Sequence, residues 1–385
     1  MSGTETATGA GAGPVTGPGT DPKSAQARRV APPALAALGS RILQAAGALQ
    51  GEADCVARRL VQADLVGHAS HGVLRLRQYV EQIGKGQIRV ATRPTTVVDL
   101  PGLAVLDAGY CFGQVAAETA TRMACDKARL HGVALVAVRH SAHVGRLGDW
   151  VELAAEQGCV SFHFVNTLAA PLVTPWGGSQ RRLSTNPLAW GMPVAGGEPI
   201  VVDMTTSVVA EGKVRLARAA GQSIPPGWVV DRTGASSTDP AALYDGGALL
   251  ALGGLDAGHK GYALSLMVDL MAGALSGGGS SGPDRPINAN NHTVLAISPA
   301  AMGAAHGQAV TEEAARFCAW VRSSAAADAQ RPVQMPGDVE RAQRELHLRD
   351  GLWLNAGVQE ALREAARLSG LGAAAVDAVL AELAT

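Results

Sequence analysis

The sequence predicts an α/β protein, and three observations lead to that prediction. Between residues 113 and 165 the apolar pattern runs helix, strand, loop, helix and strand, which is the element order of α/β folds. Near both ends of the chain, apolar residues recur every three or four positions, which indicates amphipathic helices. No G-x-G-x-x-G turn follows a strand and opens a helix, so the ordinary Rossmann turn is missing from the sequence.

The N-terminal part begins with a low-complexity region. Residues 1–32 are rich in Gly, Thr, Ala and Pro and predict a disordered tail. Three helices are predicted after it: residues 35–49, residues 52–66, and one that carries His71 and runs to about residue 83. Two β-rich runs follow at residues 95–100 and 103–107, and the Pro101-Gly102 pair between them is typical of a hairpin.

The middle of the chain carries the alternating elements. Helices and strands are predicted there in the order 113–130 (helix), 131–139 (strand), 148–157 (helix) and 159–165 (strand). The loop between the first strand and the second helix reads HSAHVGRLG. A glycine-rich stretch at residues 275–286 is predicted to be a mobile loop.

The C-terminal region is predicted to be helical at residues 339–348, 355–368 and 373–384. We expect these helices to pack on the N-terminal helices. Residues 33–110 and 300–385 would then form one discontinuous helical domain, with residues 111–299 inserted as a second domain.

Composition excludes several classes of protein. With 385 residues and 47% apolar content, the chain can bury the core of two or more domains. No apolar stretch approaches the roughly 18 residues of a membrane span. The formal net charge is −1 and no basic run alternates with aromatics, so a nucleic-acid partner is not expected. The five cysteines form no C-x-x-C pair, which predicts a reducing, cytoplasmic setting without disulfides or a zinc finger.

The segment GHASHGVLRLRQY, residues 67–79, contains the main candidate site. On a helix, His71 and Arg75 would share one face because they are four residues apart. A guanidinium holds a carboxylate through paired hydrogen bonds, and an imidazole can move a proton to or from the adjacent oxygen. The alternative interpretation is a solvated helix face with a structural ion-pair network.

Several loops in the middle third offer groups that could bind phosphate or ribose. They carry backbone N–H groups and Ser/Thr hydroxyls in the runs PLVTPWGG, RLSTNPLAWGMP and VVDMTTS, although each could be an ordinary turn. Lys260 is predicted to stand just before an apolar helix. A lysine there is unfavourable toward the helix dipole, so it would either meet another anion or be an ordinary exposed lysine.

Taken together, these segments resemble the type-2 malate/L-lactate dehydrogenases, also called sulfolactate dehydrogenase-like oxidoreductases. The matching segments follow the family's order from about residue 34 onward: GHASHGVLRLRQYVEQIGKG, SAHVGRLGDW, STNPLAWGMP, DMTTS and MPGD. The resemblance implies NAD(P)-dependent interconversion of a 2-oxo acid and a 2-hydroxy acid by a homodimer without metal. It also implies a non-Rossmann cofactor domain, residues 111–299, with a mixed or largely antiparallel sheet, and a substrate domain formed by the helical segments.

The resemblance also assigns roles to individual residues. It places Ser70, His71, His143 and Lys213 among the catalytic residues and Arg75 and Thr185 on the substrate side. Either imidazole could be the acid/base, and the sequence favours His71 because Arg75 fixes where the substrate lies. The family's cofactor contacts fall on His143, Val144, Gly145, Arg146, Leu147, Thr167, Asp203, Met204, Thr205, Lys260, Pro336 and Gly337.

Alternatives remain open at this point. Lys213 stands where cyclic imino-acid reductases of the family place an aspartate, which favours a hydroxy-acid substrate over a 2-imino carboxylate. A metal-dependent hydrolase or lyase would use His68, His71 and His143, although no acidic ligand accompanies them. A binding protein that keeps the fold without activity is the third possibility. The sequence leaves the exact substrate, the physiological direction and the choice between NAD and NADP undetermined.

Overall fold

The structure is a computed structural model that describes residues 27–169, 171–283 and 289–381. Its α-helices in these ranges are α1 (Pro32–Ala45), α2 (Gln50–Leu65), α3 (Arg75–Gly84), α4 (Gly113–His131), α5 (Gly148–Glu156), α6 (Glu211–Ala219), α7 (Ala241–Tyr244), α8 (Gly254–Asp269), α9 (Ala304–Arg322), α10 (Asp338–Asp350), α11 (Ala356–Ser369) and α12 (Ala374–Ala381). The strands are β1 (Arg28–Val30), β2 (Thr95–Leu100), β3 (Leu103–Asp107), β4 (Val133–Ser141), β5 (Val160–Thr167), β6 (Leu188–Met192), β7 (Ile200–Met204), β8 (Val229–Val230), β9 (Ser236–Ser237), β10 (Ala248–Leu249), β11 (Asn290–Ile297) and β12 (Leu352–Leu354).

Seven strands form one mixed sheet in the order β2-β3-β4-β11-β5-β6-β7. Strands β3 and β4 pair in parallel, and every other neighbouring pair in this sheet is antiparallel. The predicted hairpin at Pro101-Gly102 is confirmed, since Leu100 pairs directly with Leu103. The α/β class with a mixed sheet is therefore confirmed.

Helices from both ends of the chain share one hydrophobic core. Leu35 and Ile42 of α1, Leu60 of α2, Leu76 of α3 and Leu362 of α11 are all fully buried in it. Burial of such side chains contributes about 1.5–3 kcal/mol each. The division of the chain into two domains stays a prediction.

Some sequence-based boundaries differ from the structure. Residues 28–30, which the predicted tail includes, form β1 and pair with Leu352–Leu354, while residues 1–26 lie outside the described residues. Strands β2 and β3 join the sheet, not the helical core. Helix α9 packs on the sheet through Cys318, which clusters with Ile200. In each case pairing or packing across a long sequence separation decided the outcome. No helix in the described residues is long and apolar enough to span a membrane.

Candidate active site

The predicted site residues come together at one edge of the sheet. Strands β4, β5 and β7 are parallel to one another because each neighbour between them is antiparallel. Their carboxyl ends therefore meet at the same edge, where β6 and β11 begin. This places the loop 142–147, Thr167, residues 203–205, Thr185 and Asn290 along a single line, which is where ligands commonly bind in α/β proteins.

His71 does not lie on the same helix as Arg75. It ends a short 3-10 turn, Ala69–His71, and Arg75 is the first residue of α3. The prediction that His71 and Arg75 share one face of a helix was therefore wrong. The turn instead brings the His71 ring onto the ring of His143, with centroids 5.3 Å apart and planes inclined by 26°.

A buried tyrosine forms a hydrogen bond with His143. Its Nδ1 lies 2.8 Å from the hydroxyl of Tyr79, and that hydroxyl accepts a hydrogen bond from Gln114 Nε2 at 2.9 Å. Since Tyr79 accepts from Gln114, its own proton points to His143 Nδ1. The neutral imidazole then carries its hydrogen on Nε2, as a donor.

Both imidazoles are uncharged at neutral pH. Burial lowers the pKa of His71 to about 3, helped by the positive charge of Arg75. Burial also holds the pKa of His143 well below its ordinary value, and the charges of Arg75 and His71 add to the effect. Burial raises the pKa of Tyr79 to about 12, so its phenol stays protonated.

Arg75 is oriented by its neighbours. Its Nε donates to the carbonyl oxygen of Ser70 at 2.7 Å, and its Nη1 donates to Gln78 Oε1 at 2.6 Å. Ser70 Oγ in turn lies 2.9 Å from His71 Nδ1. The guanidinium keeps its Nη2 and one Nη1 hydrogen for an anion, so a carboxylate would bind end-on.

A buried carboxyl group lies under the His71 turn, and the sequence analysis did not identify it. Asp64 Oδ2 accepts the Val73 N–H at 2.8 Å, and a Cβ on Gly72 would lie 1.8 Å from Asp64 Oδ1. The glycine of the Ser-His-Gly motif is thus explained by close packing on Asp64. Burial raises the pKa of Asp64 to about 7, despite the opposing hydrogen bond from Val73.

Hydrogen bonds tie several predicted cofactor residues together. Asn290 Oδ1 accepts the Val144 N–H at 3.2 Å, and its Nδ2 donates to Thr167 Oγ1 at 3.0 Å. Thr205 Oγ1 donates to the carbonyl oxygen of Thr185 at 2.8 Å. Met204 pairs with Leu188 at the end of β7.

The loop after His143 offers backbone more than side chains. Val144, Arg146 and Leu147 are buried. Gly145 has a φ of +81°, and a Cβ there would lie 3.4 Å from Gln114 Nε2. Only the main chain of these four residues is thus placed to contact a cofactor.

Arg146 is engaged with carboxylates. Its Nη1 lies 2.8 Å from Asp149, its Nη2 2.9 Å from Glu152, and its Nε 3.9 Å from Asp203. Asp203 Oδ2 also accepts the N–H of Gly148, the first residue of α5, at 2.7 Å. The amino terminus of α5, where a Rossmann domain would bind pyrophosphate, is therefore already occupied by a protein carboxylate.

The remaining predicted residues lie outside the loops at this edge. The Pro336 carbonyl accepts the Val201 N–H at 3.2 Å, and Gly337 precedes α10 with a φ of +97°. Lys260 is an exposed residue within the length of α8. The prediction that it stands just before a helix was therefore wrong. Lys213 is exposed on α6.

Two further observations concern the candidate metal ligands and the glycine-rich stretch. Among the described residues no group of three or more His, Cys, Asp or Glu side chains is arranged to hold a metal ion, and His68 Nε2 instead lies 3.4 Å from Glu340. The glycine-rich stretch is not free at residues 279–281. Gly279 O accepts from Asn166 Nδ2, and Ser281 bonds to Asp269. Residues 284–286 of that stretch lie outside the described residues.

Tyr79, Gln114, Asp64 and Asn290 were missed by the sequence analysis. Tyr79 alone gave a usable signal, because it follows Arg75 by four residues on one helix face. The other three act through contacts between distant segments, which periodicity does not report.

Comparison with known proteins identifies the family of this chain. The Malate/L-lactate dehydrogenase family profile matches residues 30–363. Hydroxycarboxylate dehydrogenase B of Escherichia coli K12 is 36% identical over 348 residues, which covers 88% of this chain and 94% of that protein. The sulfolactate dehydrogenase structure from Methanocaldococcus jannaschii superposes with a TM-score of 0.80 at 28% identity and covers 90% of this chain and 98% of that one.

A third relative is named as a reductase. The structure of delta1-piperideine-2-carboxylate reductase from Pseudomonas syringae superposes with a TM-score of 0.77 at 33% identity, covering 88% of this chain and 99% of that one. Because the family profile spans most of the sequence and the E. coli relative matches nearly end to end, this chain belongs to the malate/L-lactate dehydrogenase family.

Proposed function

We propose that this protein is an NAD(P)-dependent oxidoreductase that interconverts a 2-oxo acid and a 2-hydroxy acid. The observation that carries the proposal is the stacked pair His71 and His143, both affected by the charge of Arg75. An anchored cation beside two neutral imidazoles suits a substrate with a carboxylate next to a carbonyl group.

Arg75 binds the substrate carboxylate, and this binding raises the pKa values of the two histidines. Its positive charge is one cause of their lowered pKa values. A bound carboxylate cancels much of that charge, so it raises the pKa of both imidazoles toward the ordinary value of histidine. Substrate binding thus prepares a histidine to take up the proton that the reaction moves.

We assign proton transfer to His143, and this reverses the preference for His71 that the sequence suggested. The reason is the buried support from Tyr79. Once His143 is protonated, its Nδ1–H donates to the Tyr79 hydroxyl. Tyr79 then donates to Gln114 Oε1, which has no partner in the described structure, after the amide rotates. During reduction the protonated ring gives its Nε2 proton to the alkoxide oxygen and is left neutral with its hydrogen on Nδ1, and during oxidation Nε2 of that tautomer takes the proton from the substrate hydroxyl.

The residues at the sheet edge fit a nicotinamide cofactor. When bound, that group supplies or accepts the hydride at C2 of the substrate. The buried acceptor oxygen of Asn186 lacks a partner in the described structure, and a carboxamide N–H₂ is a donor of the matching kind. The main chain of residues 143–147, with Thr167, Thr205, Lys260 and the Pro336-Gly337 turn, would hold the rest.

We further propose that the cofactor domain, residues 111–299, is not a Rossmann domain. The carboxylate of Asp203 at the α5 amino terminus supports this, as does the largely antiparallel sheet. A hydroxy-acid substrate remains favoured over a cyclic imine because Lys213 occupies the position that the reductases fill with aspartate. Five free cysteines fit a reducing, cytoplasmic location.

We also propose that the protein is a homodimer whose contact includes α8. Leu266, Met267 and Leu270 of α8 and the turn after it are exposed by 37%, 40% and 55%. They lie on one helix face, beside the buried face that carries Val268. A helix that is apolar on both faces is covered on both in its working state, and a second copy of this chain is the covering partner we propose.

The decisive experiment is a panel of 2-oxo acids and cyclic imines tested with NADH and with NADPH. We expect oxidation of one reduced cofactor with an acyclic 2-oxo acid such as oxaloacetate, pyruvate or sulfopyruvate. His143→Ala is expected to lose about 10²- to 10⁴-fold in kcat, and His71→Ala less. Turnover of a cyclic imine alone would favour the reductase assignment, and turnover of no compound in the panel would contradict the proposal.

A further inference from the structure

The end of β4 departs from regular strand geometry just before His143. Asn290 pairs with Ser141 and His292 pairs with Val138, so Asn291 faces two residues, Arg139 and His140. This is a β-bulge, and bulges redirect the chain and are frequent beside active sites. His140 has a φ of +55°, a left-handed conformation that residues with a side chain adopt only with strain.

Contacts hold the bulge from both neighbouring strands. On one side, Asp107 at the end of β3 accepts from Arg139 Nε at 2.9 Å and lies 3.1 Å from His140 Nδ1. On the other side, Asn291 Oδ1 accepts the His140 N–H at 3.2 Å. The strained conformation is thus fixed by polar contacts with Asp107 and Asn291, which explains why it persists.

A second left-handed residue completes the arrangement. Tyr110 has a φ of +63°, and its N–H donates to the carbonyl oxygen of His140 at 2.6 Å. The two rings stack with centroids 5.4 Å apart. The guanidinium of Arg89 lies 5.4 Å from the centre of the Tyr110 ring on that surface.

The chain that leaves the bulge is fastened on each side of His143. The Ala142 N–H donates to the carbonyl oxygen of Cys111 at 3.0 Å, and the Val144 N–H donates to Asn290. Ser141 Oγ donates to the carbonyl oxygen of Asn290 at 3.2 Å. The direction of the chain after the bulge therefore determines the position of the His143 ring.

We infer that Asp107 and His140 are positioning residues for His143: Asp107 holds the bulge at Arg139–His140, and the bulge aims His143 at the substrate. The inference rests on the proposed function, in which His143 moves the proton. It adds one residue at the end of β3 and one near the end of β4, and neither is in the stacked pair of His71 and His143.

The charge state of Asp107 agrees with this role. Burial raises its pKa, but hydrogen bonds from the Gly109 N–H, Arg139 and His140 outweigh burial, so the pKa lies below the ordinary value. The carboxylate is therefore ionised at neutral pH and keeps its hold on both residues of the bulge.

The test separates backbone conformation from side-chain contact at residue 140. His140→Gly and His140→Ala both remove the contacts with Asp107, but only glycine adopts the left-handed conformation without strain. We expect His140→Ala to have a kcat about fivefold to tenfold below that of His140→Gly, since the left-handed penalty falls on alanine alone. The KM for the cofactor should stay within about threefold of the wild type for both.

Asp107 is tested with a matched control on the adjacent strand. Asp99 of β2 pairs with Lys127 on the surface and does not contact the bulge. We expect Asp107→Ala to lower kcat by at least about tenfold, Asp107→Asn to lose less because one acceptor oxygen remains, and Asp99→Ala to leave kcat unchanged. Melting temperatures identify any variant that fails to fold, and Asp107→Asn is then the informative one.

The ring of His143 supplies a readout that does not depend on activity. Its imidazole NMR signals, assigned with His143→Gln, should shift in His140→Ala and Asp107→Ala but not in Asp99→Ala. Shifted signals in a protein that turns over no 2-oxo acid would support the positioning role while contradicting the proposed function. Equal kcat values for His140→Gly and His140→Ala, or unchanged His143 signals in Asp107→Ala, would overturn the inference.

Discussion

The hydroxyl of Tyr79 lies 2.8 Å from Nδ1 of His143, although 64 residues separate the two in the chain. The contact joins α3 to the loop after β4 and fixes which ring nitrogen of His143 faces the substrate. It is the clearest link between the helical part of the protein and the sheet edge.

Removing that hydroxyl should affect proton transfer more than substrate binding. Tyr79→Phe keeps the ring and leaves His143 Nδ1 without its donor, so the imidazole loses its fixed tautomer. We expect kcat to fall by about 10- to 100-fold with the KM for the 2-oxo acid changed by less than about threefold. Steady-state kinetics measure both. Tyr244→Phe is the control, because the hydroxyl of that exposed residue donates to Glu211; an equal loss in both variants would refute the role.

Substrate anchoring depends on the shape of the Arg75 side chain. Arg75→Lys keeps a positive charge but cannot hold a carboxylate through paired hydrogen bonds, nor keep both contacts with Ser70 and Gln78. We expect the KM for the 2-oxo acid to rise by about 30-fold or more while the cofactor KM is little changed. Arg77→Lys, on an exposed residue of the same helix, serves as the control. An unchanged substrate KM in Arg75→Lys would show that the anchor lies elsewhere.

The close packing of Gly72 on Asp64 predicts a non-additive pair. Gly72→Ala places a methyl group into the carboxyl group and should destabilise the protein by about 1–3 kcal/mol. Asp64→Ala opens space, so the double variant should be more stable than the sum of the two single effects predicts. Urea unfolding of the four proteins measures this. Gly84→Ala is the control, since nothing lies within 4 Å of a Cβ there; strict additivity would contradict the packing argument.

Two buried histidines in the sheet predict acid sensitivity. His163 Nδ1 lies 3.0 Å from His292 Nε2, and burial lowers the pKa of His292 to about 3. The folded state therefore keeps His292 neutral while the unfolded chain binds a proton below about pH 6.5. The stability it contributes is present above that pH and is lost as the pH falls toward 3, by about 2 kcal/mol between pH 7 and pH 5.

The measurement is a difference between variants, because burial raises the pKa of Asp64 to about 7 and of Asp149 to about 6, and these groups act in the opposite direction. Chemical unfolding at pH 7 and pH 5 should show a smaller loss of stability in His292→Gln than in the wild type. His306→Gln replaces an exposed histidine of α9 and should behave as the wild type does. Parallel pH dependence in all three proteins would rule the mechanism out.

The proposed dimer contact predicts a change of mass in solution. Leu270→Glu puts a charge on the exposed apolar face beside α8 and should convert a dimer into a monomer, as measured by light scattering on a sizing column. Leu130→Glu alters another exposed leucine, 78% accessible at the end of α4, and should leave the mass unchanged. A wild-type protein that is monomeric at micromolar concentration would remove the proposal.

Local pattern explains how much of the fold was predictable. Helix α4 and the β2–β3 hairpin lie within one or two residues of their expected bounds, because apolar periodicity and the Pro101-Gly102 turn are short-range signals. The turn at His71 was missed since its conformation depends on Asp64, which packs against Gly72 from the end of α2. A helical pattern cannot report such a contact.

The sequence by itself determined the element order, the family resemblance and the presence of a histidine and an arginine suited to a carboxylate. Only the tertiary structure decided that His71 stacks on His143, that Tyr79 and Gln114 support that ring, and that Asp203 occupies the start of α5. The physical reason is the distance along the chain over which each effect acts. Periodicity and turn chemistry act over a few residues, whereas burial, proton location and pKa depend on groups that folding brings together from distant segments.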